Sequence, residues 1–332
     1  MNNILKYAVI GVGSMGNNHA RILSDMPGVD LVAVVDANGQ RAKQIARRYN
    51  TRAYTTSEAL FEQEKLDIVN ICVPTVKHHK IALQAAGHGV NFLVEKPIAM
   101  SIEQGQEIVN AAKEANIIMT VGHVERFNPA VIELHKRVEA GELGQVFQIQ
   151  AHRASPFPAH VLDVGVVTDL AVHDLDVMRY ITQSEVQRVY AETAQRIHTS
   201  HEDQLIGILR FEAGMIGKLT VNWLTPTKIR QLSVLGERGK FIVNYLTQEL
   251  TFYENGATES SDWLGVLQGI KPGRMIGYVI HRQEPLRAEL ESFIQAVRDE
   301  TTPVVTGHDG IQALALAEAV IQAGQSHQTV TM

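Results

Sequence analysis

A glycine-rich turn near the amino terminus has residue types and spacing suited to binding phosphate. Residues 11–16 read Gly-Val-Gly-Ser-Met-Gly, an apolar run leads into them, and a second apolar run ends at Asp36. Gly11 permits a tight turn, Gly13 leaves room for a pyrophosphate, and Gly16 lets the next helix pack closely on the strand. The start of that helix offers unpaired N–H groups and the positive end of its dipole to the phosphates. The order of strand, glycine turn, helix, strand and acid is typical of a dinucleotide-binding fold.

Asp36 favours one dinucleotide over the others. It lies about 20 residues past the turn, where an acid accepts hydrogen bonds from the adenosine ribose hydroxyls. A carboxylate there repels a 2′-phosphate, so the sequence predicts NAD rather than NADP. Arg41 is an alternative partner for a 2′-phosphate, but beside Lys43 it is better interpreted as a charge on an exposed helix face. FAD is a lesser alternative, because FAD-binding turns usually have Glu at the acidic position.

Composition limits the classes of protein and partner. The chain has 332 residues, of which 45% are hydrophobic and 20% charged, which fits two domains with sizeable cores. A formal net charge of −6 without a long basic run argues against nucleic acid or a membrane surface as a partner. The single cysteine, Cys72, provides no disulfide framework and fits a reducing compartment. Residues 1–6 lack the shape of a signal peptide, and no apolar run is long enough to span a bilayer. We therefore expect a cytoplasmic protein.

Up to about Val121, short apolar runs alternate with helical patterns, which predicts a parallel sheet covered on both faces. The predicted strands are 7–10, 31–35, 67–73, 90–94 and 117–121, and the predicted helices after the second strand are 80–86 and 102–115.

After Gly122 the pattern changes to alternating apolar and polar residues, which predicts an antiparallel sheet with one face packed and one exposed. A helix is predicted at 129–139 and a strand near 144–151, followed by strands at 186–197, 204–211, 216–224, 228–235 and 241–253 and helices at 286–298 and 310–323. The predicted fold class is α/β, with a Rossmann domain at 1–122 and a C-terminal α+β domain at 123–332. We expect the last helix to pack back on the first domain.

Three further polar residues stand where chemistry is plausible. Lys96 follows a predicted parallel strand, and ligands bind outside the carboxyl ends of such strands; the alternative is an ordinary loop lysine. Asp169 and His173 are spaced i, i+4, so a helix places them on one face as a base and its orienting partner. They are also compatible with metal ligation, which ranks lower because no third ligand has convincing spacing. A structural buried histidine is the simplest interpretation of this segment alone.

These segments together resemble the Gfo/Idh/MocA family (glucose–fructose oxidoreductase and inositol dehydrogenase) over nearly the whole chain. The matching pieces are the glycine turn with Asp36, Val73-Pro74-Thr75 followed by His78, Glu95-Lys96-Pro97, Asp169-x-x-x-His173-Asp174, and two C-terminal stretches at 285–293 and 306–310. The resemblance implies an NAD-dependent enzyme that oxidises a sugar or cyclitol hydroxyl by hydride transfer.

The resemblance also implies roles for individual residues. Lys96 and His173 would be the acid/base groups and Asp169 a substrate or orienting ligand. The cofactor-binding residues expected from the glycine turn and the resemblance are Gly11, Gly13, Ser14, Met15, Gly16, Asp36, Val73, Pro74, Thr75, His78, Glu95 and Lys96.

Two stretches, 122–129 and 153–158, resemble the branch of the family that acts at C3 of UDP-N-acetylglucosamine. Substrate contacts would then come from Arg126, Asn128, Arg153, Asp169 and His173. Arginines are well suited to a diphosphate or a uracil carbonyl, although an exposed surface position explains them equally well. The alternatives are a dehydrogenase of inositol or another free polyol, and a non-catalytic NAD-binding sensor. We expect a homodimer or homotetramer that pairs through the exposed sheet face.

Overall fold

The computed structural model describes residues 4–158, 164–198, 200–256 and 273–332. The elements up to residue 124 are β1 (Leu5–Ile10), α1 (Ser14–Ser24), β2 (Val29–Val35), α2 (Gly39–Arg48), β3 (Arg52–Tyr54), α3 (Ser57–Gln63), β4 (Ile68–Ile71), α4 (His78–Gly87), β5 (Asn91–Glu95), α5 (Ile102–Glu114) and β6 (Met119–Gly122). The next elements are α6 (Pro129–Glu139), β7 (Val146–Ala154), α7 (Val172–Thr182), β8 (Val186–Ala194), β9 (Gln204–Phe211), β10 (Ile216–Asn222), β11 (Ile229–Gly236), β12 (Gly239–Asn244) and β13 (Glu249–Glu254). The last are β14 (Met275–Gly277), α8 (Pro285–Asp299), α9 (Gly307–Ser326) and β15 (Val330–Thr331).

The chain forms two compact units, Met1–Val124 with Glu284–Ala315, and Glu125–Gln283 with Leu316–Met332. The carboxyl-terminal part of the chain therefore contributes to both units. In the first unit, α8 packs its apolar face on α1, with Leu290 and Phe293 in the same core as Leu23. Helix α9 belongs to the first unit up to Ala315 and to the second from Leu316. Within the described ranges, no helix is both long and apolar enough to cross a bilayer.

The first unit contains a six-stranded parallel sheet in the order β3-β2-β1-β4-β5-β6. Strand β4 is buried along its length and β2 from Leu31 to Val35, as the uninterrupted apolar runs predicted. The chain order reverses between β1 and β4, which is where a doubly wound sheet binds its ligand. The predicted parallel sheet is confirmed. Helix α2 was anticipated only as the exposed helix face that carries Arg41, and β3 and α3 were not assigned from the sequence. Strand β3 has only three residues, too few for an alternation pattern.

The second unit contains a nine-stranded sheet in the order β14-β13-β12-β11-β7-β10-β9-β8-β15. Its pairs are antiparallel except β7 with β10, which is parallel. The single strand predicted at 241–253 is wrong, because the structure has a hairpin of β12 and β13 there. The Asn244 side chain accepts hydrogen bonds from the N–H groups of Leu246 and Thr247, and Gln248 has a positive φ of 54°. A side-chain bond of this kind initiates a turn within an otherwise apolar pattern.

The two faces of this sheet differ as the alternation predicted. One face is covered and buries Phe211, Trp223 and Phe241 together with residues of α6 and α7. The other face leaves Ile206 and Ile208 of β9 46% and 53% exposed. Large apolar side chains left open in this way are a common feature of association surfaces.

Candidate functional site

The glycine turn of the first unit has the geometry that phosphate binding requires. Gly11 has φ +87°, a conformation that side chains disfavour. A Cβ on Gly16 would lie 1.8 Å from the carbonyl oxygen of Gly11, so α1 can approach the turn only with glycine there. A Cβ on Gly13 would meet no atom within 4 Å, which means that this side of the turn is open. Ser14 and Met15 begin α1, whose N-terminal residue has no side-chain cap.

Asp36, directly after β2, stabilises this turn by hydrogen bonds. Its carboxylate accepts hydrogen bonds from the N–H of Val12 (3.1 Å) and the N–H of Asn38 (2.8 Å). Arg41 lies 3.4 Å from the same carboxylate, with about half of its side chain exposed. Asp36 itself is only 8% exposed. The carboxylate is therefore fixed in position before any ribose arrives.

A cavity of about 830 Å³ opens beside the turn, at the carboxyl ends of β1, β2 and β4. Gly11, Gly13, Asp36, Val73 and Pro74 all line it, so the structure brings these predicted residues together. Sequence reasoning did not include the loop between β3 and α3 or the first turn of α3, which together contribute residues 55–58 to the lining. Only a three-residue strand precedes that loop, and the sequence offered no signal for it.

Thr75 and His78 follow β4, at a different position from the residues that line the cavity. Thr75 begins a short 3-10 turn, and His78 begins α4 with 1% of its surface exposed. The two ring nitrogens of His78 each lie 2.9 Å from a backbone carbonyl oxygen, that of Val73 and that of Pro97. Burial lowers the pKa of His78, against the opposing effect of the two carbonyls, which raise it. His78 therefore joins the chain after β4 to the chain after β5, and its role in cofactor binding stays a prediction.

A buried chain of polar side chains ends at Glu95, the last residue of β5. The Tyr7 hydroxyl donates to Asn70 Oδ1 (2.7 Å), and Asn70 Nδ2 lies 2.7 Å from His19 Nδ1. His19 Nε2 lies 2.8 Å from Glu95 Oε1. Glu95 Oε2 accepts the backbone N–H of Lys96 at 3.3 Å, so both carboxylate oxygens are held. Lys96 itself is half-buried.

The donors in this chain all point towards Glu95. An ionised carboxylate only accepts hydrogen bonds, so His19 Nε2 must carry a proton. Neutral His19 then accepts at Nδ1 from Asn70, whose amide is oriented by the Tyr7 hydroxyl. Burial raises the pKa of Tyr7 well above its usual value, which keeps that donor protonated. Burial would raise the pKa of Glu95 too, but the bond from His19 and neighbouring basic groups, Lys96 among them, hold it below its ordinary value.

His19, Cys72 and Glu95 also form a group that could hold a metal ion, with donor atoms within 4.8 Å of one another. The hydrogen bonds argue against that use. A metal at Nε2 would displace the proton that His19 donates to Glu95. Burial also raises the pKa of the Cys72 thiol, whereas a metal needs the thiolate. These residues fit a hydrogen-bonded network better than a metal centre.

In the second unit, Asp169 and His173 lie on either side of a change in helix type. The predicted single α-helix is corrected, because residues Val167–Ala171 form a π-helical turn and the α-helix α7 begins at Val172. Asp169 is therefore in the π turn and His173 in the first turn of α7. Both are half-buried. π turns joined to α-helices are frequent at functional sites.

Arg126 and Arg153 have different surroundings from those expected. Arg126 donates to Asp176 from Nε (2.8 Å) and Nη2 (2.6 Å). Arg153 donates to Asp174 from Nε (2.7 Å) and Nη2 (3.0 Å), and to Glu125 from Nη1 (2.9 Å). Both arginine side chains are only 4% exposed.

These bonds alter the expected role of the arginines. Burial alone would lower the pKa of Arg153, but Asp174 and Glu125 raise it above its ordinary value. Asn128 is likewise occupied, since it caps α6 through the N–H of Ala130 and donates to the carbonyl of Tyr245. All three residues are thus bonded within the protein, and a direct contact of Arg126 or Arg153 with a diphosphate stays a prediction.

Sequence reasoning missed two neighbours of Arg153 on the covered face of the sheet. Arg230 of β11 stands opposite Arg153 of β7 in the strand register. The N–H of Tyr245 bonds the carbonyl of Arg230, which extends the row across to the end of β12. The Tyr245 ring lies 5.2 Å from the Arg153 guanidinium carbon. The alternation around Leu232 could have indicated that Arg230 faces the core.

Comparisons with known proteins agree with this geometry. A family model described as an oxidoreductase family with an NAD-binding Rossmann fold matches residues 5–123, and the model of the family's C-terminal alpha/beta domain matches residues 135–332. The chain therefore belongs to the Gfo/Idh/MocA oxidoreductase family. Its first unit is an NAD-binding Rossmann domain, and the protein is a dehydrogenase that acts on hydroxyl groups.

Several relatives cover nearly the whole chain. UDP-N-acetylglucosamine 3-dehydrogenase of Acidithiobacillus ferrooxidans is 28% identical over 94% of this chain and 95% of its own. The scyllo-inositol 2-dehydrogenase (NAD(+)) of Bacillus subtilis is 27% identical over 93% of this chain and 91% of its own. A solved structure of the Acidithiobacillus ferrooxidans enzyme superimposes with a TM-score of 0.87 at 27% identity, covering 97% of this chain and 98% of that one. A levoglucosan dehydrogenase complex with NADH, 21% identical, shares the fold with a TM-score of 0.86 over 98% of this chain and 99% of that one.

Proposed function

We propose that this dehydrogenase oxidises a sugar hydroxyl to a ketone with NAD, and that the hydroxyl is at C3 of a UDP-N-acetylhexosamine. The main support is the relationship to UDP-N-acetylglucosamine 3-dehydrogenase, which extends over 94% of the chain. The cofactor half of the proposal rests on the cavity in the first unit, where an open Gly13 and a fixed Asp36 meet the needs of a pyrophosphate and a ribose.

The chain's own residues would divide the chemistry as follows. Bound NAD supplies the two-electron acceptor. An alcohol becomes a good hydride donor as its hydroxyl proton leaves, so a base must accept that proton. We assign this task to Lys96 and His173 together, with Asp169 orienting the imidazole or a substrate hydroxyl. Glu95 is held at the end of β5. We assign it, with the ends of β4, β5 and β6, to the nicotinamide half of the domain, and the doubly wound strand order supports this assignment.

The decisive experiment is turnover of a matched set of alcohols by the purified protein with NAD⁺. UDP-N-acetylglucosamine, UDP-N-acetylgalactosamine, myo-inositol and scyllo-inositol are followed by the absorbance of reduced nicotinamide, and the product is identified by mass spectrometry. We expect turnover of the UDP sugars with loss of two hydrogens and little turnover of the inositols. Rapid oxidation of an inositol with no turnover of either UDP sugar would overturn the proposed substrate.

A second candidate function, inositol dehydrogenase, is favoured by the 27% identity to the scyllo-inositol enzyme. The same set of alcohols separates the two. A non-catalytic sensor would bind NAD and turn over none of them, but the presence of Lys96, Asp169 and His173 in the family's motif speaks against it.

We further propose that two copies associate through the open face of the nine-stranded sheet. Ile206, Ile208 and Ile216 stand on neighbouring strands of that face and are 46%, 53% and 43% exposed. Neighbouring exposed apolar side chains of this kind are typical of association surfaces. Light scattering after size-exclusion chromatography tests the proposal. We expect a dimer or tetramer, and Ile208→Glu should shift it towards the monomer. A monomeric wild type at micromolar concentration would contradict it.

A further inference from the structure

Arg230 differs from the other buried arginines of the second unit because it has no carboxylate partner among the residues that the structure describes. It is 9% exposed. Its two hydrogen bonds within the described ranges both leave from Nη1, to the carbonyls of Ala154 and Ile229 at 2.8 Å each. Within the same ranges it forms no ion pair, although Arg126 and Arg153 each have a close carboxylate. Its Nε and Nη2 make no hydrogen bond there, and they are not among the fully buried unsatisfied atoms. These donors therefore border solvent.

The surroundings of Arg230 make this arrangement unusual. A buried charge is costly unless it is paired. Burial lowers the pKa of Arg230 to about 10, and the charge of Arg153 adds to the lowering against the opposing effects of Asp174, Glu125 and Asp169. The group remains cationic at neutral pH. Asp169, a residue of the proposed substrate site, is thus within electrostatic range of Arg230.

A second buried group beside Arg230 also lacks a partner. The Tyr245 hydroxyl is buried and makes no hydrogen bond within the described part of the chain. Tyr245 stands next to Arg230 across β11 and β12, on the face that Arg153 shares. Buried polar groups are normally satisfied by protein, water or ligand. A cation without a carboxylate partner among the described residues, next to a tyrosine whose hydroxyl has no hydrogen bond there, therefore suggests a ligand that brings acceptor oxygens.

We propose that Arg230 is a specificity-determining residue that receives an anionic phosphate oxygen of the substrate. The proposal rests on the proposed function, and within it replaces Arg126 and Arg153 by Arg230 as the direct contact to the diphosphate. Those two arginines are bonded to Asp176 and Asp174. A neutral polyol would leave Arg230 uncompensated, so this residue selects phosphorylated sugars against free ones.

The test compares phosphate ligands with neutral counterparts in the NAD-loaded protein. Calorimetry measures UDP against uridine and glucose 1-phosphate against glucose, in wild type, Arg230→Gln, Arg230→Lys and Arg188→Gln. Arg188 is an exposed arginine on β8 of the same sheet, so its variant removes an equal charge from outside the site. Hydrogen bonds to a charged group are strong, and we expect Arg230→Gln to weaken phosphate ligands about 10- to 100-fold. Uridine and glucose should change little. Arg230→Lys should retain part of the affinity, and Arg188→Gln all of it.

Each other outcome overturns the inference. If Arg230 only stabilises the fold through its bonds to the two carbonyls, Arg230→Gln lowers the melting temperature and weakens the binding of UDP and uridine equally. If the advantage of UDP over uridine survives in Arg230→Gln, the phosphate is bound elsewhere. If the wild type turns over UDP-N-acetylglucosamine in either case, the proposed function stands and only this inference fails. If no phosphate ligand outbinds its neutral counterpart in wild type and only inositol is oxidised, both fail.

Discussion

Replacing His19 by Leu should expose the energetic role of the buried chain that ends at Glu95. Leu has a similar bulk but cannot donate to Glu95 Oε1 or accept from Asn70 Nδ2. The variant leaves a charged carboxylate and an amide without partners in a site where His19 is completely buried and Glu95 nearly so. Breaking a buried pair from one side costs about 3–5 kcal/mol. That loss is large against the 5–15 kcal/mol roughly typical of a folded protein.

The pH dependence distinguishes this explanation from a simple packing defect. The pKa of Glu95 is depressed in the folded state. Its contribution to stability is therefore present above the ordinary Glu pKa and is lost as the pH falls through the depressed value. In His19→Leu the stabilising bond is gone, and protonation of Glu95 relieves the buried charge. The difference in unfolding free energy between wild type and variant should be greatest near neutral pH. It should shrink as the pH is lowered towards the depressed pKa of Glu95.

The assay is urea unfolding followed by circular dichroism at neutral pH and at the lowest pH at which both proteins remain folded. His79→Leu is the matched control, since His79 pairs with Glu107 at 2.6 Å on an exposed surface. Exposed pairs contribute about 0–1 kcal/mol, so the control should lose little. Tyr7→Phe removes the hydroxyl at the other end of this hydrogen-bonded series. It should lower the free energy of unfolding by about 1–3 kcal/mol, because it leaves Asn70 Oδ1 unsatisfied. If His19→Leu loses the same unfolding free energy at both pH values, the charge argument is refuted. If it loses no more than His79→Leu, the stabilising role of the buried hydrogen bonds is refuted.

Three further predictions concern the cofactor and the chemistry. Asp36→Asn should weaken NAD binding about 10- to 100-fold and reduce the difference in affinity between NAD and NADP, because it loses the charge that bonds the ribose and repels a 2′-phosphate. A wild type that prefers NADP in fluorescence titrations would contradict this. Gly13→Ala should keep the melting temperature but lose NAD affinity, whereas Gly16→Ala should lose both, since only the latter Cβ meets the backbone, at 1.8 Å; equal melting temperatures would disprove the distinction. Lys96→Met and His173→Ala should each lose turnover about 10²- to 10⁴-fold while keeping NAD affinity; near wild-type rates in steady-state assays would show that these residues are not the acid/base groups.

Much of the first unit was predictable because its signals are local. The glycine turn, the apolar runs and the spacing to Asp36 are set by residues close together in sequence, and each has a direct steric or electrostatic reason. The alternation in the second half likewise predicted a sheet with one open face. Where a local signal was weak, the prediction failed. The three residues of β3 are too few to alternate, and the turn that Asn244 initiates divided an apolar stretch into two strands.

The partners of the polar residues were decided only by the tertiary structure. His19 and Glu95 are 76 positions apart, and Arg126 and Asp176 are 50 apart, so no spacing rule connects them. The sequence identified Arg126 and Arg153 as cations suited to a diphosphate, but the fold pairs each of them with a buried carboxylate. Among the described residues it gives Arg230 no such partner. A side chain's charge is fixed by its chemistry, whereas the ligand it meets depends on which strands and helices pack beside it. For this protein the sequence determined the class of cofactor site and the order of its elements, and the fold determined which of its buried charges are already neutralised.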